Sequence, residues 1–179
     1  MTSYHAMIKV GGAKAGMKVG VMGYGGLGQI GTRAAVLRGA EVHVAETKES
    51  VWDLAREAGA TGLVRDASDW AGQQFDLVVD YAGFDTTQKA INAVKRGGMV
   101  VQVGLGLPTF TVTTPTILGK TLVGSLGGTV EDIEEVFELM LANEIDPAFT
   151  EIAFDEIGDG LERLRRNEVT GRLVARFGG

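Results

Sequence analysis

Val19-Gly-Val-Met-Gly-Tyr-Gly-Gly-Leu-Gly28 is an apolar run that breaks into glycines at positions 23, 25 and 28. The residues before Gly23 read as a strand and those after Gly28 as an amphipathic helix. Val42-His-Val-Ala-Glu46 reads as a second strand that ends in an acid. Each glycine has its own task in such a unit. Gly23 lets the chain turn sharply off the strand, Gly25 lets the backbone approach a ligand, and Gly28 lets the helix lie close to the sheet. Strand, glycine turn, helix and acid-tipped strand, in this order and spacing, predict a βαβ unit that holds a dinucleotide by its pyrophosphate.

The predicted helix places Leu27, Ile30, Gly31, Ala34 and Leu37 on one face, with Arg33 and Arg38 turned outward. Its first amides, from Gly26 and Leu27, are free to bind phosphate oxygens with the help of the helix dipole. Glu46 stands 18 residues beyond Gly28, where a carboxylate accepts hydrogen bonds from adenosine ribose hydroxyls and repels a 2′-phosphate. NAD is therefore favoured over NADP, with Lys48 near enough to soften that repulsion.

Composition narrows the reading. The 179 residues are 45% hydrophobic, enough for one domain with an appendage. A net charge of −6 with scattered basic residues leaves no footprint for nucleic acid or a membrane surface. No apolar run reaches the length of a membrane span, and the N-terminus has no signal-peptide pattern. The absence of cysteine removes disulfides and thiolate metal sites, so a cytoplasmic protein is expected.

Further along, Thr47 is expected to cap a helix through Val51, Leu54, Ala55 and Ala58 that stops at Gly59. Strands are expected at 62–65, at Phe75–Asp80 (FDLVVD), at Met99–Val103 and at Lys120–Gly124. Asp85 with Gln88 is read as a capping pair, and Lys95-Arg-Gly-Gly98 as the end of the helix that follows. Thr129 caps a helix over Val130–Leu141 that turns Ile133, Val136, Phe137, Met140 and Leu141 inward, and its acids 131, 132, 134 and 135 read as a solvated face rather than a metal site. The alternation predicts an α/β fold: a Rossmann-type, doubly wound, parallel six-stranded sheet with the ligand across its carboxyl edge. There the stretches Asp80–Gly83, Val103–Leu105 and Gly124–Gly128 would meet the nicotinamide half.

Two segments exceed a minimal core. Residues 2–12 read as a helix, and Ala148–Phe177 as strand, helix, strand with Asp155 as a cap. The expected division is a nucleotide-binding domain over 1–145 and a return segment over 146–179 that belongs to a catalytic domain absent from this chain.

Taken together, the blocks MTSYHAMIKVGGAKAGMKVGV, GYGGLGQIG, LAREAGAT, FDLVVDYAG, KRGGMVVQVGL, VGSLGGTVEDIEEVFELM and FDEIGDGLERLRRNEVTGRLV closely resemble the second half of zinc-type medium-chain alcohol dehydrogenases. The resemblance implies a parent enzyme that moves hydride between an alcohol and a nicotinamide cofactor, with zinc polarising the substrate oxygen. It also implies roles by residue. Thr2 would touch the nicotinamide, Gly26 and Leu27 the pyrophosphate, Glu46 and its neighbour Thr47 the adenosine side. Tyr81, Val103, Leu105 and Leu126 would line the nicotinamide side, and Arg172 would pair with the pyrophosphate through its forked donors. A homodimer through the sheet edge near Lys120–Leu126 is implied as well.

The departures from the family are informative. Its zinc ligands come from a preceding domain, the last a cysteine a few residues upstream of the position of Met1. Here there is no cysteine, His43 reads as a packed or edge strand residue, and His5 alone cannot build a tetrahedral site. Zinc is thus expected only in a full-length parent, and this chain alone is expected to bind NAD weakly and catalyse nothing. Val51 stands where many relatives carry a lysine near the ribose. Two other readings are a free-standing NAD(H)-binding sensor and the cofactor half of a zinc-free quinone or enone reductase, the latter disfavoured by the GYGGLG turn.

Overall fold

The structure, a computed structural model, describes residues 1–107 and 109–177; the last two residues of the return segment lie outside them. Strands β1 (Lys18–Met22), β2 (Glu41–Ala45), β3 (Gly62–Val64), β4 (Phe75–Asp80), β5 (Val94–Gln102) and β6 (Thr121–Gly124) form one sheet in the order β3-β2-β1-β4-β5-β6. All five pairings are parallel. The chain order reverses between β1 and β4, so a crevice opens at their carboxyl ends, just where the glycine turn follows Met22. This is the Rossmann-type sheet the sequence predicts.

Val19, Val21, Leu77, Val79 and Val101 pack one face of the sheet, together with Ala35 of helix α2 (Gly26–Leu37). Trp70, Phe75, Val78, Ile91 and Val100 pack the other. With both faces covered, β4 is buried almost throughout, which is why FDLVVD shows no alternation. The second sheet is small: β7 (Phe149–Ala153) pairs in parallel with β8 (Arg172–Arg176), and α7 (Ile157–Arg165) crosses between them. Gly160 lets α7 lie close to this sheet, its Cα facing the ends of the Leu173 and Ile152 side chains.

Several local expectations are corrected. The first segment is helical but wound two ways, a turn at Thr2–Tyr4 (α1) followed by a π-helix at His5–Val10. Thr47 is not a helix cap. A 3₁₀ turn at Glu49–Val51 precedes α3 (Trp52–Glu57), and the Thr47 hydroxyl instead donates to Glu46 Oε1 at 3.3 Å. Asp85 caps no amide of α4 (Thr86–Ala93) because its carboxylate is taken by Lys89 at 2.8 Å. Lys95–Gly98 do not end that helix: α4 stops at Ala93, and β5 starts at Val94 with an irregular register against Phe75. Asp155 caps nothing; Glu156 accepts the Ala153 N–H at 2.7 Å in its place.

Helix α6 (Val130–Leu141) is capped by Thr129 as expected, with Asp132 completing a reciprocal capping box. Its outer face differs from the expected one. Phe137 and Leu141 are 58% and 84% exposed, while Val136 packs on Tyr4, Ala34 and Ile145. Its acids are not all solvated either. Asp132 is buried and accepts His5 Nδ1 at 2.7 Å and the Thr129 N–H at 2.8 Å. Burial opposes its charge, yet these partners outweigh it and hold its carboxyl below the usual range. Glu135 accepts from the Tyr4 hydroxyl at 2.6 Å and pairs with Lys9, so α6 is fastened to the N-terminal helix. Among the described residues, no helix is long and apolar enough to cross a membrane.

Candidate functional site

The glycine turn leaves β1 with Gly23 at φ 84°, a conformation that side chains rarely adopt. Gly28 sits so close beneath it that a Cβ would collide with the Gly23 carbonyl. Gly28 therefore secures the turn itself, in addition to the approach of helix to sheet. Gly25 is the opposite case: nothing lies within 4 Å of where its Cβ would be, and its backbone faces open space. Between them, Gly26 is covered by the guanidinium of Arg172, so near that any side chain on Gly26 would strike it. Gly26 and Arg172, which the resemblance assigns to one ligand, lie side by side across 146 positions.

Helix α2 begins with Gly25 as its N-cap and carries no acid in its first turn. Helix geometry leaves the amides of Gly26 and Leu27 without intrahelical acceptors. With Arg172 above them, they form a setting for a doubly bonded anion.

Glu46 follows β2 and is half-buried. Its Oε2 accepts the Tyr24 N–H at 2.7 Å and its Oε1 the Lys48 N–H at 2.7 Å. An ionised carboxylate has about four lone-pair sites, and with the Thr47 hydroxyl also on Oε1, one remains for a ligand hydroxyl. The Trp52 indole N–H donates to the Glu46 carbonyl at 2.9 Å, fixing the same residue from its main chain. Glu46 divides two clefts. One, of about 370 Å³, is lined by Gly25, Gly26, Lys48, Thr170 and Arg172. The other, of about 360 Å³, is lined by Gly23, Thr47, Arg65, Ala82, Phe84 and Lys89. Thr47 thus faces a cleft although it caps no helix.

On the far side of the turn, the Ser3 hydroxyl donates to the Leu27 carbonyl at 2.5 Å, and the Tyr81 hydroxyl donates to the Ser3 carbonyl at 2.9 Å. Leu27 and Tyr81 are thereby tied to Ser3, the residue that follows Thr2. Tyr81 points its hydroxyl inward against Gly31, and burial raises that phenol well above its ordinary value. Val103 follows β5 half-buried, while Leu105 and Leu126, past the ends of β5 and β6, are 87% and 90% exposed. Neither leucine lines the clefts beside Glu46.

Ser3 and Tyr24 carry no signal in the sequence, and Lys48 and Asp80 take roles other than the expected ones. The Tyr24 ring is buried, its hydroxyl donating to the Leu54 carbonyl at 3.1 Å, and burial pushes the phenol up to about 12. Asp80 is fully buried at the end of β4. Its Oδ1 accepts the N–H groups of Ala82 and Gly83 at 3.0 and 2.9 Å, and its Oδ2 the hydroxyls of Thr86 and Thr87, each at 2.8 Å. That network shapes the 81–86 turn, whose Ala82 abuts Gly23. The only visible signal was a lone acid closing an apolar strand.

The two histidines lie apart: His5 bonds to Asp132, and His43 bonds to Glu41 at 2.6 Å while packing edge-on against Phe75. Among the described residues, no group of three or more His, Asp or Glu side chains is arranged to hold a metal. The residues present do not fit a catalytic zinc.

Fold and site together define a Rossmann-type nucleotide-binding unit followed by a small two-stranded sheet. The protein-family signature described as zinc-binding dehydrogenase matches residues 26–142, and the chain belongs to that family. It is 30% identical over 189 residues to an alcohol dehydrogenase of Geobacillus stearothermophilus, which covers 99% of this chain and 55% of the relative. Among solved structures it is similar to the acetophenone reductase of Geotrichum candidum in complex with NAD, at 32% identity and a TM-score of 0.91 over 97% of this chain and 52% of that one. The alcohol dehydrogenase of Aeropyrum pernix superposes with a TM-score of 0.88 at 28% identity, over 96% of this chain and 54% of that one. The chain thus spans about half the length of the relatives it matches.

Proposed function

We propose that this chain is the nicotinamide-cofactor-binding half of an alcohol dehydrogenase-like oxidoreductase, with NAD preferred over NADP. The observation that carries the reading is the cradle at Gly25, open to solvent and bracketed by Arg172 over Gly26 and by the Glu46 carboxylate. Gly26, Leu27 and Arg172 would hold the pyrophosphate, and Glu46 the adenosine ribose, with Gly23 and Gly28 setting the turn. Thr47 would border the adenosine, and Thr2, Tyr81, Val103, Leu105 and Leu126 the nicotinamide. When bound, the cofactor supplies a hydride acceptor or donor. The protein's own part is to bind and orient it, since none of these residues is placed to polarise an alkoxide.

The preference for NAD has a second support. Lys48 could have offset the charge of Glu46 against a 2′-phosphate, but its ammonium is drawn away to the carbonyls of Asn167 and Val169. A 2′-phosphate would therefore meet Glu46 with little compensation.

Zinc and the substrate pocket would belong to a catalytic domain outside this chain, and residues 146–179 to the same domain, leaving 1–145 as the nucleotide-binding unit. The unpartnered apolar side chains Phe137, Leu141, Phe149 and Val174 suit a surface on which that domain rests. A homodimer through β6 is supported by its place at the sheet edge, with exposed Leu118 and Leu126 on either side. Light scattering over a concentration series tests this part; a monomer throughout contradicts it. The lack of cysteine suits a cytoplasmic setting. The cofactor reading itself is tested by following backbone amide resonances during NAD addition. Shifts centred on Gly25, Gly26, Leu27 and Lys48 are expected, and shifts elsewhere only would refute it.

A further inference from the structure

We infer that Lys48 is a positioning residue of the dinucleotide site, which acts by holding the return segment so that Arg172 stays over Gly26. The inference rests on the cofactor reading above. Lys48 lies two residues past Glu46, and its own N–H donates to the Glu46 carboxylate, which fixes where its side chain departs. From there the ammonium reaches across the cleft to the Asn167 carbonyl at 3.2 Å and the Val169 carbonyl at 3.0 Å. Both acceptors lie in the connection between α7 and β8.

Asn167 takes φ 55° and Gly171 φ 73°. A side chain on Gly171 would collide with the Ala148 carbonyl, and the Arg172 N–H donates to the same carbonyl at 3.1 Å. The residues Lys48 grips lie five and three positions before Arg172, whose own N–H is anchored on Ala148. Little else ties this segment down. Among the described residues, side-chain hydrogen bonds from residues 1–142 into 148–177 come from Gln29, which accepts the Ala148 N–H at 2.9 Å, and from Lys48. Gln29 fixes the start of the segment, and Lys48 fixes the stretch that leads into Arg172. A charged donor on two carbonyls is among the stronger hydrogen-bond arrangements, and it links the residue beside the ribose acid to the residue over the phosphate amides.

If Lys48 acts through Arg172, its loss should weaken ligands that carry a pyrophosphate and spare those that do not. The test is calorimetric titration of the 179-residue chain with ADP-ribose and with adenosine, using Lys48→Met, Lys48→Arg, Arg172→Gln and the double variant Lys48→Met/Arg172→Gln. Lys48→Met is expected to weaken ADP-ribose about tenfold and adenosine less than about twofold. Lys48→Arg, which can reach the same carbonyls, should restore most of the loss. In the Arg172→Gln background Lys48→Met should add no further loss, because two residues serving one contact are not additive. Equal weakening of adenosine, or additive losses in the double variant, would show that Lys48 touches the ligand itself and would overturn the inference. If Lys48→Met does not fold, Lys48→Gln, which keeps an uncharged N–H donor group, should give an intermediate loss with the same selectivity. Failure of the unaltered chain to bind ADP-ribose or NADH would instead overturn the cofactor reading, and this inference with it.

Discussion

The Glu46 carboxylate accepts the Tyr24 N–H at 2.7 Å, so the acid at the end of β2 is fastened to the middle of the glycine turn that follows β1. The group that would read the ribose is thus preset by the loop that would hold the phosphates. Glu46→Gln keeps a side-chain acceptor but removes the charge. It should leave NADH binding within about threefold and improve NADPH binding about tenfold, because the repulsion of a 2′-phosphate is lost. Parallel titrations with both nucleotides measure the ratio.

Gly25 and Gly28 should separate binding from stability. Gly28→Ala forces a Cβ against the Gly23 carbonyl and should cost about 1–3 kcal/mol of stability. Gly25→Ala meets open space at an ordinary φ of −77°. It should change stability by less than about 1 kcal/mol and still weaken NADH, since the methyl projects into the cradle. Thermal unfolding and nucleotide titration of the two variants check the pair.

Asp80 should prove a stability residue that the site depends on. Asp80→Ala leaves the amides of Ala82 and Gly83 and the hydroxyl of Thr86 without their buried acceptor, while Thr87 keeps Gln102 Oε1 at 2.6 Å. A loss of about 3 kcal/mol is expected, a fall in Tm of roughly 6–12 °C for a chain of this size. Differential scanning calorimetry reads it directly.

Acid sensitivity should have an identifiable source. Lys89, 2.8 Å away, together with the Ser68 amide, holds the Asp66 carboxyl down to about 2, against an ordinary value of 3.8. A lowered folded pKa means that the contribution to stability is present above about pH 4 and is lost as pH falls toward about 2. The pair is partly exposed, so its worth is under about 1 kcal/mol. Asp66→Asn should lower Tm slightly at pH 7 and flatten its decline between pH 4 and 2.5, as measured by melts across that range.

Much of this was legible in the sequence because it is locally encoded. Phe75–Asp80 is apolar without alternation because both its faces are buried, and α6 announces itself through Thr129 and a helical period. The misreadings share a physical origin in distant partners. Phe137 and Leu141 follow the helical period, yet among the described residues they stand 58% and 84% exposed. Lys95–Gly98 have the composition of a helix end, but the sheet captures them as the start of β5. Asp132 looked like a solvated acid because His5, its partner, is 127 positions away. In the site, Gly23, Gly25, Gly28 and Glu46 follow from spacing alone. The hold of Lys48 on Asn167 and Val169 has no local signature, and Asp80 reads as an ordinary strand end until its four donors are seen.

The most direct measurement is an equilibrium titration of the 179-residue chain with NADH and NADPH, followed by nucleotide fluorescence and repeated with Arg172→Gln. One NADH per chain is expected, with NADPH at least about tenfold weaker and NADH weakened about tenfold or more in the variant. NADPH binding tighter than NADH, or NADH binding that Arg172→Gln leaves untouched, would contradict the site described by Gly26, Glu46 and Arg172.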